Sequence, residues 1–355
     1  MKQLNVVVIE QLTVFSKEIK ELLLTHKVIK DVTTFASLDD GINKISEDDV
    51  DIVLLDIDFP KYNEKLPIEM ILTVKRVPVL VMAENTIFQT AKTIQAMIHG
   101  AVDFIKFDHK DKKSLLDKEK EIIRKITNAK KGKLQQSVKS SNINIETKRM
   151  RKQTNKFRKK IQMESIIVIG ASTGGPRALQ TVLQDIPNDF PAPILIVQHM
   201  PERFTKSLAK RLDNICNLPV KEAEHGEIVK KGTVYLAPGN YHMRVKKEGN
   251  SLYIDISEGE ERLGHRPSVN HLFDSVATLH HIFKIAVVLT GMGRDGAEGV
   301  KRIKECQDDA IIIAESKETA IINGMPNAVI QTNYVSEILL LDEIGEALIE
   351  YIKNS

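Results

Sequence analysis

The chain has 355 residues, 42% of them apolar and 28% charged, which suggests about two domains and excludes a mostly disordered chain or a fibrous repeat. Its apolar runs, such as 166–169 and 285–289, fall far short of the ~20 residues of a membrane span, and the run 4–9, interrupted by Asn5, is too short for a secretory leader. Two cysteines, Cys216 and Cys306, make no disulfide framework, so the expectation is a cytoplasmic protein with reduced thiols, and the net charge of +3 hides a stretch, 130–160, that alone carries +11 while the remainder carries −8.

Residues 5–9 form a β-branched run that predicts a buried strand. A helix follows from Thr13, with Val14, Ile19, Leu22 and Leu23 on one stripe. Strands are predicted at 52–55, ending on Asp56, at 79–82 and at 103–105, with helices over 38–46, 69–75 and 86–99 between them. A charged amphipathic helix over 111–127, with Leu115, Leu116, Ile122, Ile123 and Ile126 inward, closes the unit. Such alternation predicts a parallel sheet covered on both faces. Residues 129–163 read as a basic linker with helical character near 148–160. Its charge would suit an anionic partner, but Phe157 is its one aromatic and gives no stacking platform for bases. A solvated tether is the simpler reading, and no nucleic-acid partner is expected.

Alternation restarts at 166–169. Further strands are predicted at 194–197, 233–236, 252–256, 285–289 and 311–314, and helices at 177–183, 204–212, 270–279, 297–304 and 337–352. The strand 166–169 runs into Gly170-Ala-Ser172-Thr-Gly174-Gly175-Pro176. This lacks the Walker and Gly-x-Gly-x-x-Gly patterns of a phosphate cradle. A structural turn and a nucleophile turn both fit. Gly170-x-Ser172-x-Gly174 has the strand-to-helix context of the second. His199 follows the strand 194–197, and Asp295 lies in a glycine-rich segment after 285–289. Catalytic groups collect at C-terminal strand ends in parallel sheets. Taken alone, Asp295 is equally a cap on the helix that begins at Ala297. The order Ser, His, Asp differs from that of α/β-hydrolases.

Together with Gln198-His199-Met200, Ala237-Pro238-Gly239, Arg266-Pro-Ser-Val-Asn270 and Thr290-Gly-Met-Gly-Arg-Asp-Gly296, this part resembles the catalytic domain of chemotaxis protein-glutamate methylesterases. The resemblance implies a doubly wound, mostly parallel-sheet esterase domain over 164–355. It implies hydrolysis of glutamyl methyl esters on chemoreceptors, with deamidation of receptor glutamines left open. Ser172 would be nucleophile, His199 general base and Asp295 its orienting acid. The Met292 N–H would donate to the oxyanion, with Thr173 lining the site, and no metal or organic cofactor is needed.

Residues 1–128 resemble a flavodoxin-like receiver domain of two-component response regulators, through 51–60 and 100–105. Asp56 matches the phosphoacceptor and a chemotaxis histidine kinase would be the donor. Glu10, Asp56 and Asp58 would be the ligands of any Mg2+. The pattern is broken in three places: Gln11 replaces one carboxylate, Ala83 the usual hydroxyl, and Lys106 stands one position early with Phe107 where lysine is expected. Phosphorylation of Asp56 and a remnant carboxylate without turnover therefore both stay open. The receiver would restrict access to the esterase site, through a weakened or partner-driven switch. A monomer without membrane insertion is expected. The alternative function is a non-enzymatic receptor- or kinase-binding regulator. A DNA-binding output is not expected, because strand–helix units fill the second half.

Overall fold

The computed structural model describes residues 3–61, 64–84, 86–107, 118–131 and 164–353. The front part holds strands β1 (Leu4–Ile9), β2 (Ile29–Phe35), β3 (Ile52–Asp56), β4 (Val79–Glu84) and β5 (Asp103–Phe107). They pair in parallel in the order β2-β1-β3-β4-β5. This is the flavodoxin-like order, which reverses between β1 and β3 and opens a crevice there. Helices α1 (Thr13–Leu24), α2 (Leu38–Glu47), α3 (Pro67–Val74), α4 (Ile87–Ile98) and α5 (Glu119–Lys131) cover it. Every residue of β3 is buried, as expected of a central strand with helices on both faces.

The sequence pattern missed β2 because Lys30 and Asp31 break its apolar run; only Ile29 and Val32 are buried on this edge strand. Of the helix expected over 111–127, Leu115 and Leu116 lie outside the described residues. Ile122, Ile123 and Ile126 are buried as expected. The helix runs on to Lys131, with Ala129 buried. Lys130 Nζ sits 2.5 Å from the buried Asp51 Oδ1, so the expected boundary at 128 falls inside a packed helix. The linker's 132–163 lie outside the described residues.

The second part holds β6 (Glu164–Ala171), β7 (Ile194–Gln198), β8 (Val220–Glu222), β9 (Val234–Leu236), β10 (His242–Glu248), β11 (Ser251–Ser257), β12 (Ile282–Val288), β13 (Ile311–Glu315) and β14 (Glu337–Leu339). Seven of them form one parallel sheet in the order β14-β13-β12-β6-β7-β9-β8, and β10 and β11 make an antiparallel hairpin. The helices are α6 (Gly175–Leu183), α7 (Phe204–Asp213), α8 (Val269–Ala277), α9 (Ala297–Cys306), α10 (Gly324–Ile330) and α11 (Leu341–Lys353). Alternate residues of β6 serve opposite layers: Ile167 and Ile169 join the core with Leu179 and Val182, while Ile166 and Val168 join Leu272 and Phe273. The strand order reverses between β6 and β12, so the crevice of this sheet opens there. The expected helix 337–352 begins only at Leu341; the residues before it form the edge strand β14. Three-residue edge strands such as β8 and β14 are too short to leave a period.

The two parts pack together. Phe104 of β5 stacks on Phe204 of α7 with centroids 4.4 Å apart, and Ser207 Oγ donates to Thr90 Oγ1 of α4 at 3.2 Å. No helix among the described residues is long and apolar enough to cross a membrane.

Candidate active site

Ser172 leaves the end of β6 at the crevice, and α6 begins three residues later. Its N–H donates to the Thr290 carbonyl beyond β12 at 3.0 Å. The Gln198 Nε2 donates to the Ser172 carbonyl at 2.9 Å. That approach needs a glycine at 175, because a Cβ there would lie 1.8 Å from Gln198 Oε1. Gly291 is required in the same way: its Cβ would stand 2.8 Å from the Ser172 Cβ.

His199 follows β7, anchored by its N–H on the Ala171 carbonyl at 3.0 Å. Its Nε2 lies 2.8 Å from Asp295 Oδ2, and both side chains are almost fully buried. Its Nδ1 is buried without a hydrogen-bond partner, so this is the nitrogen left to take a proton. No Ser172–His199 hydrogen bond forms among the described residues; such contacts often tighten only around a substrate. The His265 ring lies flat on His199, with centroids 3.8 Å apart and planes 9° apart. Burial, and then the neighbouring His199, push His265 down to about 4, so it stays neutral near pH 7.

Asp295 accepts four hydrogen bonds. Besides His199 these come from Ser268 Oγ at 3.0 Å, Val269 N–H at 2.7 Å and Asn270 N–H at 3.0 Å. Burial alone would raise its pKa, but the His199 contact and the backbone donors outweigh burial and hold it below the usual carboxylate range. The side chain thus caps α8, not the helix that starts at Ala297. That helix, α9, is served in return by Asn270 Oδ1, which accepts from Gly296 N–H at 3.0 Å and Gly299 N–H at 2.7 Å. The capping alternative was right about the chemistry and wrong about which helix.

Ser172, Thr173, His199 and Met292 line one cavity of about 450 Å³. The front part supplies its other wall, including Asp103, Lys106, Arg124 and Lys125. Thr173 Oγ1 donates to Asp103 Oδ2 at 2.9 Å, and Gly174 N–H donates to the Val102 carbonyl at 3.1 Å. Met292 accepts a hydrogen bond from Asn128. A hydroxyl beside an imidazole–carboxylate pair is the equipment of nucleophilic acyl transfer.

These features decide the family. The chain belongs to the CheB methylesterase family. The family's model, described as CheB methylesterase, matches residues 167–348. The protein-glutamate methylesterase/protein-glutamine glutaminase of Oceanobacillus iheyensis is 38% identical, covering 99% of this chain and 100% of that protein. Its namesake in Geobacillus kaustophilus is 37% identical, covering 99% of both chains. The crystal structure of the Thermotoga maritima CheB methylesterase catalytic domain is 44% identical with a TM-score of 0.52, covering 53% of this chain and 99% of that one.

The front crevice is assembled differently from the expected phosphoacceptor site. Glu10 and Asp56 lie buried side by side. Burial and then the Asp56 charge push Glu10 up to about 8, so near pH 7 the two carboxyls share a proton. Asp58 does not join them as a ligand. Its Oδ1 pairs with Lys92 at 2.9 Å, and its Oδ2 accepts from Gln89 at 2.6 Å. Among the described residues no three His, Cys, Asp or Glu side chains are arranged to hold a metal ion. The Asp58 carboxylate is thus already engaged, while Glu10 and Asp56 lie together. Gln11 is exposed and Ala83 buried. Lys106 faces the shared cavity instead of Asp56, while Phe107 stacks on Phe15 at 4.5 Å.

Sequence reading missed the Ser268–Asn270 clamp, the His265 stack and the Asp103 contact. The first two fall in the quoted segment 266–270 or beside it. The third could not be found without knowing how the two sheets meet.

Proposed function

We propose that this protein hydrolyses glutamyl methyl esters on methyl-accepting chemoreceptors, with glutamine deamidation as a second activity of the same site. The observation that carries the reading is the His199–Asp295 pair beside Ser172 at the sheet's switch point. The relatives, protein-glutamate methylesterase/protein-glutamine glutaminases, support the glutamyl ester and the glutamine as the groups acted on. Ser172 Oγ attacks the ester carbonyl as His199 Nδ1 takes its proton, help worth about 10²–10⁴ in rate. Asp295 holds the imidazole in the tautomer with Nδ1 free and stabilises the imidazolium. The oxyanion is met by the turn 290–292. Gly291 N–H is used by the Ile322 carbonyl at 2.9 Å, and Met292 N–H is the next donor along. Methanol leaves with the proton held on His199, and water then hydrolyses the acyl-enzyme. This chemistry needs no metal.

In this reading a receiver, ending with α5, covers the esterase through Asp103, Asn128 and the cavity wall, and 132–163 tether the two parts of a cytoplasmic monomer. A chemotaxis histidine kinase acting on Asp56 is the expected input. The shared-proton pair and the stray Lys106 favour a weakened response, or release by a partner. Methanol release from methyl-labelled receptor membranes tests the whole. The fragment 164–355 should be active and faster than the full chain, and Ser172→Ala in that fragment near background. An inactive fragment on competent receptors would favour the non-enzymatic alternative.

A further inference from the structure

We propose that Glu315 is a positioning residue for the esterase reaction, its carboxyl holding the Thr290 peptide that joins the nucleophile's backbone to the oxyanion turn. The inference rests on the reading of Ser172 as nucleophile and adds a residue that neither motif nor triad contains. Glu315 closes β13, next to β12, and is fully buried. One carboxyl oxygen, Oε2, accepts the Thr290 N–H at 2.7 Å. The carboxyl also meets the Thr319 hydroxyl.

Thr290 is the hub of the site. Its carbonyl accepts the Ser172 N–H at 3.0 Å. Its Oγ1 donates to the Thr173 carbonyl at 2.9 Å and accepts the Ile322 N–H at 2.9 Å. Gly291 follows, bonded on both sides, to the Ile322 carbonyl at 2.9 Å and from the Met325 N–H at 2.8 Å. Glu315 thus bears, through the backbone of one residue, on both the serine that attacks and the turn that receives the negative charge. Misplacing reacting groups by about 1 Å can cost on the order of 10²-fold.

The charge state adds a testable signature. Burial pushes the Glu315 carboxyl up to about 7, against the pull of Thr290 N–H and the Thr319 hydroxyl. Arg177 of α6 is the charged side chain lining the small cleft it shares with Thr290, Thr319 and Leu341. Arg177 is itself held low by burial and by Arg76. Protonated Glu315 holds Thr290 and adds no charge. Ionised Glu315 puts a negative charge behind the turn that must stabilise an oxyanion, and opposes it. The rate should therefore fall as pH rises through about 7.

The experiment is methanol release by the full-length protein between pH 6 and 9, with kcat and KM separated. It compares wild type, Glu315→Gln, Glu315→Ala and Ser172→Ala. Glutamine keeps a carbonyl for Thr290 N–H and never ionises. Its kcat should stay within about twofold of wild type at pH 6 and exceed it about threefold or more at pH 8.5, with the high-pH decline gone. Alanine should lower kcat about 10–100-fold with KM little changed. A Glu315→Gln profile superimposable on wild type overturns the proposal, even if alanine proves too unstable to assay. Release that survives in Ser172→Ala would instead overturn the triad reading itself.

Discussion

Two parallel sheets in this chain each open a crevice where their strand order reverses, and each places a carboxylate there. Around Asp295 every oxygen is engaged: four donors converge on it and its pKa goes down. Around Asp56 the neighbour is another buried carboxyl, Glu10, and the pKa of Glu10 goes up. The same fold principle thus yields one site whose acid is held ionised and another whose acids share a proton. Burial acts on both; at Asp295 the His199 contact and the backbone donors outweigh it, while at Glu10 the Asp56 charge adds to it. Lys106 points into the interdomain cavity and Phe107 has taken its place against Phe15.

The contrast can be broken most sharply at the rear crevice. Ser172→Ala should reduce methanol release by about 10⁴-fold or more. Asp295→Asn should cost roughly 10²–10⁴-fold and also lower the melting temperature, because an amide NH2 would face donors at Val269 and His199. At the contact between the sheets, Asp103→Ala removes the partner of Thr173. A single hydrogen bond is worth about 0.5–1.5 kcal/mol, so uncovering the site this way should raise basal release about two- to tenfold. At the front crevice, acetyl phosphate should label Asp56 slowly and change esterase rate less than about twofold; rapid labelling with a large rate gain would show that the damaged crevice still works.

The smallest effect on activity is expected from Glu10→Gln, whose readout is stability. The folded chain keeps a proton on Glu10 up to about pH 8, whereas the unfolded chain loses it near the ordinary glutamate value of about 4.3. This group's favourable contribution is present below that value and fades as pH rises toward 8. Glu10→Gln should therefore raise the melting temperature more at pH 8 than at pH 5. An equal change at both would mean that the proton is not held.

Much of this was readable before any coordinates. The central strands announced themselves as β-branched runs because both faces are buried, and Ser172, His199 and Asp295 each stood at the end of one. The edge strands β2, β8 and β14 were illegible because half or more of each meets solvent. Gln198 and Asn270 act through bonds to backbone groups, and Ser268 through its hydroxyl on Asp295, and none of these carries a spacing signal. Glu315 lay at a predicted strand end and looked like any surface acid, because only the packing of β13 against β12 buries it. Asp103 belonged to a predicted strand, and its partner across the interface was invisible for lack of any rule relating one sheet to another.

The exchange of caps between α8 and α9 has a consequence for how such a chain can age. Losing Asp295 would strand a hydroxyl, two backbone amides and an imidazole inside the protein, at about 1–3 kcal/mol for each buried group left unpaired. Selection for a folded chain alone is then enough to preserve the acid. At the front crevice Gln11 is exposed and Ala83 is simply packed. Those two positions can change one side chain at a time, while the acid at Asp295 can be lost only together with the fold around it.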